Sequence, residues 1–113
     1  MPDQTVKVTF DANAGVQFTF APDSVTMSAA GKVILQQKAG QSGWTFVTAV
    51  VKNDTLNQFT STTLPGGNMI HINDPVRDRA RTSYSYKVTI QTASGPVTSP
   101  DPEIVNEPGN AGI

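Results

Sequence analysis

Tyr84-Ser85-Tyr86-Lys87-Val88-Thr89-Ile90-Gln91 decides the fold of this chain. Its apolar residues take every second position and its polar residues fill the gaps. A repeat of two sets Tyr84, Tyr86, Val88 and Ile90 on one face of a pleated strand, whereas a helix would scatter them around its surface. The same alternation runs upstream. Val6, Val8 and Phe10 alternate with Thr5, Lys7 and Thr9. Val16, Phe18 and Phe20 alternate with Gln17 and Thr19, and Val25 and Met27 flank Thr26.

Two runs are apolar on both faces, Val33-Ile34-Leu35 and Trp44-Thr45-Phe46-Val47-Thr48-Ala49-Val50-Val51. Their β-branched and aromatic content predicts strands near the centre of a sheet. Turn-forming clusters separate the runs: Asn13-Ala14-Gly15, Ala21-Pro22-Asp23, Ala39 to Gly43, Pro65-Gly66-Gly67-Asn68 and Ser94-Gly95-Pro96. Glycine reaches positive φ and proline fixes a negative one, so each cluster bends the chain. Residues 55–64 read equally as a loop or an edge strand anchored by Phe59, and Met69–Asn73 as a short strand. Seven to nine short strands with turns between them predict an all-β sandwich or small barrel. The expected core is Val6, Val8, Phe10, Phe18, Phe20, Val25, Val33, Leu35, Trp44, Phe46, Val50, Tyr84, Tyr86, Val88 and Ile90.

The chain has 113 residues, which suits one domain. We expect a sandwich over 1–99 and a Pro/Glu-rich strap or tail of the same domain over 100–113. Prolines donate nothing to a ladder, so that tail reads as an edge or extended strap, not a central strand. There is no cysteine, which excludes disulfides, thiol nucleophiles and cysteine metal sites. A formal net charge of -1 argues against a nucleic-acid partner. Met1-Pro2-Asp3-Gln4-Thr5 opens no basic-then-apolar leader, and no apolar run is long enough to span a bilayer. The expectation is a cytoplasmic protein without membrane insertion, a processed exported form being the alternative.

Few residues could carry chemistry. His71 is the single histidine, and a strand would point it to the same side as Met69. Imidazole plus thioether suits Cu(I), but two ligands are too few for a specific site, so no metal and no cofactor are expected. A serine triad would need His71 beside a nucleophile, and the chain contains no G-x-S-x-G elbow, no G-x-x-x-x-G-K-[ST] and no G-x-G-x-x-G. Among nine acidic residues some carboxylate pair is inevitable, so pairing carries no information. The protein is not expected to be an enzyme. Trp44, Tyr84 and Tyr86 could stack on sugars if exposed, although their placement favours the core.

The most informative cluster is Asp74-Pro75-Val76-Arg77-Asp78-Arg79-Ala80-Arg81. Arg77, Arg79 and Arg81 are all the arginines of the chain and occupy alternate positions. Guanidinium forks bind carboxylate or phosphate, which makes them candidates for an anion or partner contact. The plainer reading is a solvated loop with weak local ion pairs to Asp74 and Asp78. Between these lies docking of the acidic tail, through Asp101, Glu103 and Glu107, onto the arginines. The function expected is a binding or accessory module working through protein–protein contacts, self-association included. The alternative is a domain that binds a small carbohydrate or anion.

The tail reads Ser99-Pro100-Asp101-Pro102-Glu103-Ile104-Val105-Asn106-Glu107-Pro108-Gly109. Its Asp-Pro followed by Glu-Pro resembles the pair of dipeptides that names the DP-EP family, small bacterial proteins of uncharacterised function. The resemblance implies an immunoglobulin-like Greek-key β-sandwich, no assigned activity and no catalytic residue to carry over. Phe20 to Met27 with Gly31-Lys32-Val33, and Tyr84-Ser85-Tyr86-Lys87-Val88, resemble cupredoxin strands. That likeness implies a framework only, because Val88 stands where the copper cysteine would be and blue copper needs a thiolate and two imidazoles.

Overall fold

A computed structural model describes residues 3–15, 17–100 and 102–108. Ten strands form among them: β1 (Gln4–Phe10), β2 (Phe18–Ala21), β3 (Ser24–Met27), β4 (Gly31–Gln37), β5 (Trp44–Val51), β6 (Thr60–Thr63), β7 (Met69–Asp74), β8 (Thr82–Thr92), β9 (Gly95–Thr98) and β10 (Glu103–Asn106). The described residues contain no helix. One sheet runs β2-β1-β4-β7-β6. The other runs β3-β10-β8-β5, with β9 pairing the distal part of β8. Both are mixed, because β1 pairs β4 and β3 pairs β10 in parallel. The protein is thus an all-β, two-sheet sandwich, as the period of two predicts. Val16 lies outside the described residues.

The two sheets enclose one core. Val6, Val8, Phe18, Phe20, Val33, Leu35, Ile70 and Ile72 meet Val25, Met27, Trp44, Phe46, Ala49, Tyr86, Val88, Ile90 and Ile104. Phe10 packs against it partly buried. Met27, Ala49, Ile70, Ile72 and Ile104 join residues already expected from alternation.

Three expectations need correction. Val50 is not core but 58% exposed. The cause is a β-bulge between Phe46 and Thr48, where two residues of β5 oppose one of β8. The extra residue moves the inward set from Trp44 and Phe46 to Ala49 and Val51. Secondly, β5 ends its sheet instead of sitting near the centre. Its two-sided apolar look arises from that phase change, since Val47 and Val50 face solvent. Val33-Ile34-Leu35 does lie on a central strand, β4.

The third correction concerns the tail. Glu103–Asn106 is an interior strand between β3 and β8 and not an edge strap. Pro100, Pro102 and Pro108 flank those four residues, so none removes a donor from the ladder. Tyr86 N donates to Pro102 O at 3.0 Å and Glu107 N to Met27 O at 2.8 Å, extending the pairing at both ends. The strand count exceeds nine partly because this segment forms a strand where a tail is expected.

Candidate functional site at one end of the sandwich

The loop joining β5 to β6 and the loop joining β7 to β8 meet beside the end of β10. Asp54 organises the first. Its Oδ1 accepts from Gln58 N and its Oδ2 from Phe59 N, both at 3.0 Å. Asn53 and Asn57 adopt φ of 59° and 50°, a region that asparagine tolerates better than most residues. The turn drives the Gln58 side chain inward, where it is buried. Gln58 then ties the loops together. Its Nε2 donates to Asp78 Oδ1 at 3.0 Å and to the Tyr84 hydroxyl at 3.2 Å, while its Oε1 accepts from Arg77 N at 2.8 Å.

Asp74 and Asp78 hold the second loop from inside. Asp74 Oδ1 accepts from Val76 N at 3.0 Å. Val76 has φ of 51°, a costly conformation for a β-branched residue, held by the bonds on either side of it. Asn106, wholly buried at the end of β10, donates Nδ2 to Asp74 Oδ1 at 3.0 Å and to Asp78 Oδ1 at 2.7 Å. The Tyr84 hydroxyl donates to Asp78 Oδ2. The Tyr84 ring meets Phe59 edge-on, with centroids 4.8 Å apart.

These contacts sort the protonation states. Burial pushes the Asp78 carboxyl up, but hydrogen bonds from Tyr84, Asn106 and Gln58 outweigh it and hold the group below its ordinary value. Burial, and the hydrogen bond to Asp78, push the Tyr84 hydroxyl up to about 12. Asp74 shifts the other way from Asp78, raised chiefly by burial.

The arginines therefore do not pair with the neighbouring aspartates, whose carboxylates turn inward. Arg77 and Arg79 are exposed, and their guanidinium groups make no ion pair among the described residues. Arg81 Nη1 meets Glu107 Oε2 at 2.7 Å on the surface. Glu103 accepts instead from Ser24 Oγ at 2.9 Å. Asp101 lies outside the described residues. Of the three tail acids named above, Glu107 is brought to an arginine and Glu103 is not.

The other candidates fall elsewhere. Trp44, Tyr84 and Tyr86 are 5%, 4% and 1% exposed, so none offers a face to a sugar. His71 Nε2 lies 3.3 Å from Met69 Sδ on a half-buried patch of β7. That strand is not an edge, because β6 pairs beyond it. Among the described residues no group of three or more His, Cys, Asp or Glu could hold a metal ion.

Residue-type reading missed Gln58 and Asn106, and took Asp74 and Asp78 for surface charges. One signal was present. If alternation sends Arg77, Arg79 and Arg81 outward, it sends Asp78 inward.

The model of the DP-EP family matches residues 2–108. No curated protein matches. An NMR structure of a protein from Bacteroides thetaiotaomicron is 10% identical, with a TM-score of 0.42, covering 77% of this chain and 75% of that one. The dipeptides flanking β10 and a match over nearly the whole length agree, and the chain belongs to the DP-EP family.

Proposed function

We propose that this protein is a non-enzymatic binding module, an immunoglobulin-like bacterial domain acting in the cytoplasm, that docks a partner protein through the paired loops at the Asn106 end. The observation that carries the reading is the division of charge in the β7–β8 loop. Its aspartates are spent on a buried network, while Arg77 and Arg79 stand exposed without an acidic partner among the described residues. A pinned backbone removes the cost of ordering the loop on binding, and arginine is enriched at contact hot spots. The partner surface that suits them is acidic, and exposed Leu56 on the adjoining loop adds an apolar contact. A small anion is the weaker alternative. A groove of about 620 Å³ lies between Phe18, Phe20, Asp23 and Pro102 and contains none of the arginines.

The test is a pull-down from the native host with mass spectrometry, comparing wild type with the Arg77→Glu/Arg79→Glu variant. A partner held by wild type and lost by the variant supports the reading. Identical captured sets argue against it, and a thermal shift with phosphate alone would favour the small anion.

A second reading rests on β5. Among the described residues no strand pairs its outer edge, where the β6–β7 turn bonds Phe46 N, through Gly67 O at 2.7 Å, and Val47 and Val50 are exposed. Neutral, apolar edges of this kind pair with other strands. Self-association through β5 predicts a dimer in size exclusion with light scattering, dispersed by Val50→Lys.

A further inference from the structure

Two buried oxygens in the loop network have no donor: Asp74 Oδ2 and Asn106 Oδ1. Both residues are fully buried. They are already joined once, since Asn106 Nδ2 donates to Asp74 Oδ1 at 3.0 Å. A carboxylate beside an amide oxygen leaves two acceptors facing a region that water does not reach, which is costly. The groups around Asp74 do not neutralise it. Asp78 lies on the loop that follows it, Asp54 on the β5–β6 loop, Asn106 on β10 and the paired backbone of Gly31 on β4, while Gln58 and Tyr84 bond Asp78. The charges that act on Asp74 are those of acids, and its Oδ2 receives no donor.

One proton satisfies both orphans. On Asp74 Oδ2 it turns an acceptor into a donor toward Asn106 Oδ1. With the existing Nδ2 bond, acid and amide then pair through two hydrogen bonds. A metal ion is the poorer answer, because Asp54 and Asp78 already spend their oxygens on backbone and side-chain donors.

We propose that Asp74 keeps its proton in the folded protein at pH values that ionise a free aspartate, and that this proton latches the loop bearing Arg77 and Arg79 to β10. Ionisation releases that proton to water and loosens the loop. Burial raises the Asp74 carboxyl above its ordinary 3.8; bonds from Val76 and Asn106 oppose this, and the charges of Asp78 and Asp54 add to it. The sign follows. A raised acid contributes stability that is complete below 3.8 and is lost as pH climbs through the folded value. The loop's part in docking rests on the function proposed above, but the latch is tested on the isolated protein.

The decisive measurement is a carbon-13 NMR titration of the Asp74 side-chain carboxyl in wild type, assigned by its loss in Asp74→Asn. The expected result is a midpoint above 3.8, with the protection of the amides of residues 76–80, taken relative to their intrinsic exchange rate at each pH, falling over the same pH interval. Asp74→Asn mimics the neutral acid, since its Nδ2 donates where the proton did. That variant should melt no lower than wild type at neutral pH and abolish the pH response of the loop. A wild-type midpoint at or below 3.8 overturns the proposal, whether or not the variant folds. So does loop protection that stays constant through the titration. Failure to find a partner leaves these outcomes untouched.

Discussion

Tyr84 donates its hydroxyl hydrogen to Oδ2 of Asp78, six residues earlier and across the β7–β8 loop. The acceptor is buried and held ionised by this bond and two others. Tyr84→Phe keeps the ring on Phe59 and deletes the donor. A bond to a charged group is worth about 1.5–3 kcal/mol, so urea unfolding should show a loss of that size. The pH dependence should change as well. Asp78 is lowered, so its contribution is present above 3.8 and disappears as pH falls through its folded value. Without Tyr84 the folded value rises, and acid unfolding should begin at higher pH. An unchanged melting temperature together with an unchanged acid midpoint would show that the hydroxyl contributes nothing.

The bulge in β5 makes a rank order testable. Trp44→Ala should cost about 3–5 kcal/mol, because the ring is buried against Phe46 with centroids 5.0 Å apart. Val50→Thr should change stability by less than about 0.5 kcal/mol, since Val50 faces solvent. Ala49→Asp would bury an unpaired carboxylate and should cost several kcal/mol. Equilibrium denaturation of the three variants reads the order directly. A Val50 variant as damaging as the Ala49 one would mean that β5 keeps a single phase throughout.

These residues also show where the sequence was legible. Alternation in Tyr84–Ile90 and Val6–Val8 identifies strands because every inward position is apolar and every neighbour polar. It fails at Val47, where one inserted residue shifts the phase and apolar residues fall on both faces around it. It fails again at Glu103–Asn106, because prolines around a strand look like prolines within one. The loop network was hidden for another reason. Asp74, Asp78, Gln58 and Asn106 are polar types that ordinarily face water, and only the fold brings them together. Apart from the alternation that sends Asp78 inward, their burial is a consequence of long-range contacts that no local pattern encodes.

Gly67 closes the approach between the β6–β7 turn and β5. Phe46 N donates to Gly67 O at 2.7 Å. A Cβ on Gly67 would lie 2.8 Å from Thr45 Cβ and 3.3 Å from Phe46 O, whereas one on Gly66 would meet nothing within 4 Å. Both glycines have positive φ, so alanine at either position carries a similar conformational cost of about 1–2 kcal/mol. The difference between Gly67→Ala and Gly66→Ala therefore isolates the steric clash. It should amount to about 1–3 kcal/mol, as for other overpacked sites. Equal melting temperatures for the two variants would show that β5 and the turn yield freely.

Removing the chain after Pro102 tests whether the dipeptide segment is structural. Ile104 is fully buried in the core, and β10 pairs β3 on one side and β8 on the other. Its loss leaves two unpaired edges and a slot in the sandwich, so the truncated chain should not unfold cooperatively and should aggregate. The Arg81–Glu107 ion pair offers the matching control. Its side chains are 62% and 47% exposed, and such pairs are worth about 0–1 kcal/mol. Glu107→Gln should therefore leave the melting temperature nearly unchanged. If Glu107→Gln destabilised the protein as much as truncation, the surface ion pair and not the interior strand would be what fastens the C-terminal segment. A truncated chain melting at the full-length temperature would remove β10 from the stable fold altogether.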